Sequence, residues 1–275
     1  VRRLIPFAAA LAAAAVLVPS PARADSAATA PWDGPGPHRV ATKHDGSTSF
    51  YYPADLAKGT AKAPVIIWGN GTFGSPAAYD GLLRHWAQYG FIVAAADTAF
   101  SNTGLEMRSG LDRLAELDRT AGSPFQGRVD LAHVAAAGHS QGGAGAINAT
   151  LDKRVTTTVP VQPGPLASAS FLHGPTLYLA GEKDSIVPPW LVRNFYSGSE
   201  AVPAVYAEVA GAGHLSSIGD GGNFRAVTTA WFRFQLAGDE RARTVFFGRK
   251  CGICADPAFS DVERNARALA VPGAS

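Results

Sequence analysis

Leu131-Ala132-His133-Val134-Ala135-Ala136-Ala137-Gly138-His139-Ser140-Gln141-Gly142-Gly143-Ala144-Gly145-Ala146 is the stretch whose reading decides the fold. Its first half is an apolar run of strand length, and its second half is a small-residue run that opens a helix. They meet at Gly138-His139-Ser140-Gln141-Gly142, which fits G-x-S-x-G. Five residues alone are a weak signal. A strand leading in and a helix leading out turn them into a sharp corner that holds a serine strained and exposed. Gly138 and Gly142 leave room for neighbouring backbone, and the helix start favours negative charge developing beside Ser140.

Outward from this corner, short apolar runs alternate with amphipathic ones. Strands are predicted at residues 39–42, 47–52, 65–68, 91–96, 133–138, 156–161, 176–180 and 205–209. The central ones are unbroken apolar runs between turn signals, the pattern of strands buried on both faces. Helices are predicted at 76–89, 105–120, 141–151, 189–195 and 224–236. In the last of these, Phe224, Val227, Trp231 and Phe234 recur at helical spacing and belong to the core. The pattern predicts an α/β fold, a mostly parallel eight-stranded sheet with helices on both faces, in one domain spanning residues 25–275. Ser140 ends the fifth strand, where an α/β-hydrolase fold carries its nucleophile.

A serine hydroxyl needs a base, and the base needs a carboxylate to orient it. In this fold the chain order is serine, acid, histidine. His214 lies in the flexible loop Ala210-Gly211-Ala212-Gly213-His214, just after a strand, where an imidazole can reach the serine. Asp184 follows the strand at 176–180 and is pinned by Ser185-Ile186-Val187-Pro188-Pro189. Glu182 is a rival acid, and Asp220 comes after the histidine, in the wrong order. His38, His44, His85, His133, His139 and His173 read as solvated or structural. An oxyanion hole is expected from the backbone amides of Gln141, next to the nucleophile, and Thr72, in the loop after the third strand. Phe73 beside it either faces the cleft and contacts substrate or packs beneath the loop.

That loop also fits G-x-G-x-x-G, with Gly69, Gly71 and Gly74 between a strand and a helix and Asp97 ending the next strand. A nicotinamide-dependent oxidoreductase is therefore the alternative from another class. Two strands precede the motif, whereas the dinucleotide fingerprint normally opens its domain. A non-catalytic binding domain on the same fold is the third possibility.

Arg2 and Arg3, the apolar residues 4–18 and the small-residue run ending at Ala24 have the organisation of a signal peptide over residues 1–24. Removing it takes away Arg2, Arg3 and Arg23 and no acid, so the formal charge of +2 becomes −1. Such a balance argues against nucleic acid as a partner. No later stretch is apolar and long enough to span a membrane. A secreted, monomeric protein is expected, and in an oxidising compartment Cys251 and Cys254 read as a local disulfide. No metal is expected, since no ligand spacing such as H-E-x-x-H occurs, and no cofactor.

With these residues in place, the sequence resembles secreted α/β-hydrolases of the actinobacterial cutinase and PET-hydrolase type, from Val65 to about Phe247. Gly138-His139-Ser140-Gln141-Gly142-Gly143 is similar to that family's GHSMGG, and residues 181–188, 210–214 and 70–73 to its acid, histidine and oxyanion loops. The resemblance implies an ester hydrolase acting on small or polymeric esters through Ser140, Asp184 and His214. Acetylxylan esterases and small secreted lipases share the same machinery. The sequence departs from the family at Gln141, where a methionine is usual, and at Gly164, about where a tryptophan helps clamp aromatic polyester units.

Overall fold

A computed structural model describes residues 26–273, so the signal-peptide reading of residues 1–24 lies outside the described residues. The chain opens with a hairpin, β1 (Val40–Asp45) against β2 (Thr48–Pro53). There follow β3 (Ala63–Gly69), β4 (Ile92–Ala96), β5 (Val129–His139), β6 (Val155–Val161), β7 (Thr176–Gly181), β8 (Ala204–Val209) and β9 (Phe259–Arg264). The sheet order is β1-β2-β4-β3-β5-β6-β7-β8-β9. Strands β3 to β8 run parallel, and β1, β2 and β9 are antiparallel additions at the two edges.

The eight predicted strands are present, and a ninth extends the sheet. Its sequence, Phe-Ser-Asp-Val-Glu-Arg, is mostly polar because it is a half-exposed edge, so no apolar run announces it. The helices are α1 (Asp80–Gln88), α2 (Leu105–Arg119), α3 (Gln141–Ala149), α4 (Pro189–Ser197), α5 (Phe224–Ala237), α6 (Glu240–Phe246) and α7 (Ala266–Leu269). The short α6 and α7 were not predicted. The first predicted helix begins instead as a 3-10 turn, Pro76–Tyr79, before α1 takes over.

Strand alternation divides the core. In β3, Ile66 and Trp68 face one cluster with Trp86 of α1, Trp231 and Phe232 of α5 and Phe246 of α6. Val65 and Ile67 face the other, with Met107, Leu111 and Leu114 of α2 and Ala146 of α3. Because both faces are covered, Val65 to Trp68 have no exposed surface, which is why the run is apolar without a break. Phe224, Val227 and Trp231 are fully buried as the helical spacing required, and Phe234 packs at the margin of the same cluster. Beyond α6, Cys251 and Cys254 are joined in a disulfide with Cα atoms 5.4 Å apart.

The chain leaves β3 for β4 on one side and returns to place β5 on the other. The ends of β3 and β5 are therefore neighbours, with Gly69 in register with Gly138. Ligand sites of open α/β sheets lie at such a reversal, outside the carboxyl ends of the strands.

Candidate functional site

Ser140 stands between β5 and α3 with φ 56° and ψ −123°. This is a sparsely populated conformation, costing on the order of 1–3 kcal/mol, and it persists because its surroundings hold it. Ser140 N donates to Val161 O at 3.0 Å, and Ser140 O accepts from Gly164 N at 2.9 Å. A Cβ on Gly138 would stand 2.1 Å from Gly142 O, and one on Gly142 would stand 2.1 Å from Gly69 O. Backbone contact at the corner is what demands glycine at both positions.

His214 begins a 3-10 turn, His214–Ser217, after β8. Asp184 follows β7. The two loops are laced together, with Glu182 N donating to Val209 O at 3.0 Å and Lys183 N to Ala212 O at 2.8 Å. Asp184 Oδ2 lies 2.7 Å from His214 Nδ1, and His214 Nε2 lies 2.9 Å from Ser140 Oγ. Asp184 Oδ1 accepts from Ile186 N at 2.9 Å and Val187 N at 2.8 Å. Burial alone pushes the Asp184 carboxyl up, but the hydrogen bonds from His214, Val187 and Ile186 outweigh it and hold the group below the usual carboxylate range. An ionised Asp184 only accepts, so Nδ1 of His214 carries the proton and Nε2 is left to accept from the Ser140 hydroxyl.

His139, read from sequence as solvated or structural, is buried beneath this pair, its ring centroid 4.7 Å from that of His214. Its Nε2 lies 2.9 Å from His214 O and its Nδ1 lies 2.8 Å from Tyr79 Oη. A carbonyl can only accept, so Nε2 is the donor, and Tyr79 donates to Nδ1 while its oxygen accepts from Gly71 N at 3.1 Å. Desolvation first, then the neighbouring His214, push the His139 imidazole down to about 3. It is neutral at any working pH. Gln162, which sequence reasoning passed over, is fully buried at φ 47°, with its side-chain amide against Asp184 and Gly213.

Thr72 and Gln141 line one cavity of about 280 Å³, together with Phe100, Ala144, Gly164 and Leu166. The Gln141 side-chain amide donates to Ala99 O, the same carbonyl that accepts from Phe73 N at 3.3 Å. One carbonyl thus ties the loop after β3 to the corner after β5, a bond that a methionine at position 141 would lack. Phe73 does not pack beneath its loop. It is 82% exposed at φ 60° and meets Phe100 edge to face, centroids 5.5 Å apart. At Gly164 the nearest heavy atoms would lie 3.6 Å from an added Cβ, so a side chain could begin there at ordinary contact distance without a clash.

The rival residues are engaged elsewhere. Glu182 is exposed and accepts from Gly211 N at 2.6 Å, and Asp220 pairs with Arg225 at 2.6 Å. His38, His44 and His133 lie against Asp55, Asp97 and Asp130, and His85 Nε2 against Trp32 O. The glycines of the G-x-G-x-x-G loop serve packing: Gly69 meets Gly142, and Gly71 N is taken by Tyr79. Among the described residues no group of three or more His, Cys, Asp or Glu side chains could hold a metal ion, and no helix is long and apolar enough to cross a membrane.

The chain is similar to known proteins over this same region. The family described as PETase, PET hydrolase-like, matches residues 10–266. Bis(hydroxyethyl) terephthalate hydrolase of Streptomyces coelicolor is 30% identical over 203 residues, covering 71% of this chain and 64% of that protein. Cutinase 2 of Thermobifida cellulosilytica is 30% identical over 180 residues, covering 62% of this chain and 66% of that one. Cutinase est2 of Thermobifida alba is 28% identical over 222 residues, covering 77% and 71%. The match spans less than two thirds of the length of the first two relatives. Since the family match takes in nearly the whole chain, the protein belongs to the PET hydrolase-like family.

Proposed function

We propose that the protein is a secreted serine hydrolase of carboxylic esters, a single catalytic domain acting as a monomer through an acyl-enzyme. The observation that carries the reading is the unbroken run from Asp184 Oδ2 to His214 and on to Ser140 Oγ, 2.7 and 2.9 Å. His214 takes the proton of Ser140 as its oxygen attacks the ester carbonyl. Asp184 holds the imidazole tautomer and stabilises the imidazolium. The amides of Gln141 and Thr72 receive the oxyanion, His214 returns its proton to the leaving alcohol, and water then releases the acyl group.

The cavity beside Gln141 suits a short to medium acyl group, with Phe100 as an aromatic part of its lining and the exposed Phe73 edge to face against Phe100. The relatives' names point to terephthalate esters and cutin as substrates of those proteins. For this chain, glycine at position 164 leaves one side of such a cleft without an aromatic, so soluble esters are favoured over solid polyester. A panel of p-nitrophenyl acetate through palmitate, acetylated xylan, bis(hydroxyethyl) terephthalate and a polyester film tests this. Greatest turnover on soluble short and medium acyl esters is expected. Turnover confined to acetylated xylan or to palmitate would move the assignment to an acetylxylan esterase or a lipase, and none on any substrate would overturn it.

A further inference from the structure

Gln162 is the first residue after β6 and has no exposed surface. Its Nε2 lies 2.7 Å from Asp184 Oδ2 and 3.0 Å from Gly213 O. Both neighbours only accept, so the side-chain orientation is forced and each amide proton has its own partner. Oε1 faces Ser217 Oγ at 3.4 Å. The backbone reaches this arrangement through a positive φ of 47°, which residues with side chains rarely adopt, and Gln162 N is anchored on Leu179 O at 2.7 Å. Space for the amide is kept by Gly181, where an added Cβ would stand 2.9 Å from Gln162 Nε2.

We infer that Gln162 is a positioning residue for the acid and the base together, one amide holding the Asp184 carboxylate and the carbonyl that precedes His214. The inference rests on the proposed roles of Ser140, His214 and Asp184. Asp184 Oδ2 is the same oxygen that receives His214 Nδ1, so Gln162 fixes its place whether or not the imidazole is charged. A preset carboxylate needs no reorganisation when the imidazolium forms. Without the amide, Asp184 Oδ2 and the half-buried Gly213 O would be two neighbouring acceptors with no donor between them, and the loops after β7 and β8 would lose one of their ties. The other titratable groups around the pair do not fill this role. His139 lies under the His214 ring and bonds its carbonyl, while Glu182 and Lys183 are exposed.

The test compares wild type, Q162M, Q162N and S140A on p-nitrophenyl butyrate from about pH 5 to 9, with melting temperatures recorded alongside. Q162M keeps the volume and removes both donors. It should lower kcat by about 10- to 100-fold with KM nearly unchanged. The acidic limb of its kcat/KM profile should move to higher pH, because a carboxylate short of a donor holds the imidazolium proton more tightly. Q162N retains an amide one methylene short of Asp184 and should show the same displacement, and it decides the matter should Q162M fail to fold. Unchanged kcat and limb in the folded variant would overturn the inference, as would a loss of kcat with the limb unmoved, which a purely structural residue would give. If S140A itself kept its turnover, the reading of the site would fall instead, and the two failures are told apart by that control.

Discussion

His139 Nε2 donates to the backbone carbonyl of His214 across 2.9 Å, so the second residue of the serine corner braces the loop that carries the His214 imidazole. Behind it, Tyr79 and Gly71 N continue the chain of hydrogen bonds to the loop after β3. A neutral imidazole is required throughout. His139→Phe would leave Tyr79 and the His214 carbonyl without their shared partner, and kcat on p-nitrophenyl butyrate should fall roughly 10-fold or more. Tyr79→Phe, which removes one hydroxyl farther from His214, should cost less. Equal losses in both variants would contradict the brace.

Buried histidines also set how the fold responds to acid. His85 is held down to about 4, first by burial, and His139 to about 3. The unfolded chain binds a proton at each below about pH 6.5, whereas the folded chain stays neutral, so stability falls as pH drops from there toward those values. Asp184, held below its ordinary range, adds its share of stability above the unfolded carboxyl value and loses it only as pH falls through its folded one. Urea unfolding should therefore show the protein weakening by on the order of 2–3 kcal/mol through His85 alone between about pH 7 and 4.5. His85→Gln should flatten that part of the slope. A slope unchanged by the substitution would contradict the assignment.

Replacing Ser140 by alanine removes the hydroxyl proposed as the nucleophile while leaving the cavity intact. Turnover of soluble esters should fall on the order of 10⁶-fold. Asp184→Asn, which spoils the tautomer of His214, should fall about 10⁴-fold.

Phe100 meets the exposed Phe73 edge to face and lines the cavity beside Gln141. Such aromatic contacts contribute about 0.5–1.5 kcal/mol beyond area. Phe100→Ala should raise KM for benzoate or hexanoate esters by up to about tenfold, with p-nitrophenyl acetate scarcely changed. A uniform change across acyl groups would mean that the wall does not touch substrate.

Gly164 can gain a Cβ without a clash, since it would meet Gln141 and Ser140 only at ordinary contact distance. Gly164→Trp should fold with a melting temperature near that of wild type. Its ring would occupy space in the cavity shared with Phe100 and Leu166, so octanoate and longer esters should lose turnover relative to acetate. Retention of long-chain activity would place the acyl group elsewhere.

How much of this was legible beforehand depended on whether the signal was local. Ser140 could be read because strand, corner and helix are consecutive, and His214 and Asp184 because each sits in a Gly- or Pro-marked loop directly after an apolar run. Strand β9 was missed because an exposed edge needs no apolar run, and Asp261, Glu263 and Arg264 supply polar residues in its place. Gln162 was passed over, and the partners of His139, read as solvated or structural, were not foreseen, for a different reason. Gln162 meets residues 22 and 51 positions away, and the Tyr79 partner of His139 lies 60 positions earlier. Only the sheet order brings them together. The nearest local hint was a lone amide at the end of a strand buried but for Thr156, a place where an unpaired polar group is costly.

If Ser140 is a nucleophile activated by His214, a fluorophosphonate should label it covalently, as read by intact-mass and peptide mass spectrometry. One adduct per chain is expected, carried by the peptide containing Ser140, with labelling abolished in Ser140→Ala and slowed by orders of magnitude in His214→Ala. An unlabelled wild-type protein, or an adduct that maps to another residue and survives in Ser140→Ala, would contradict it.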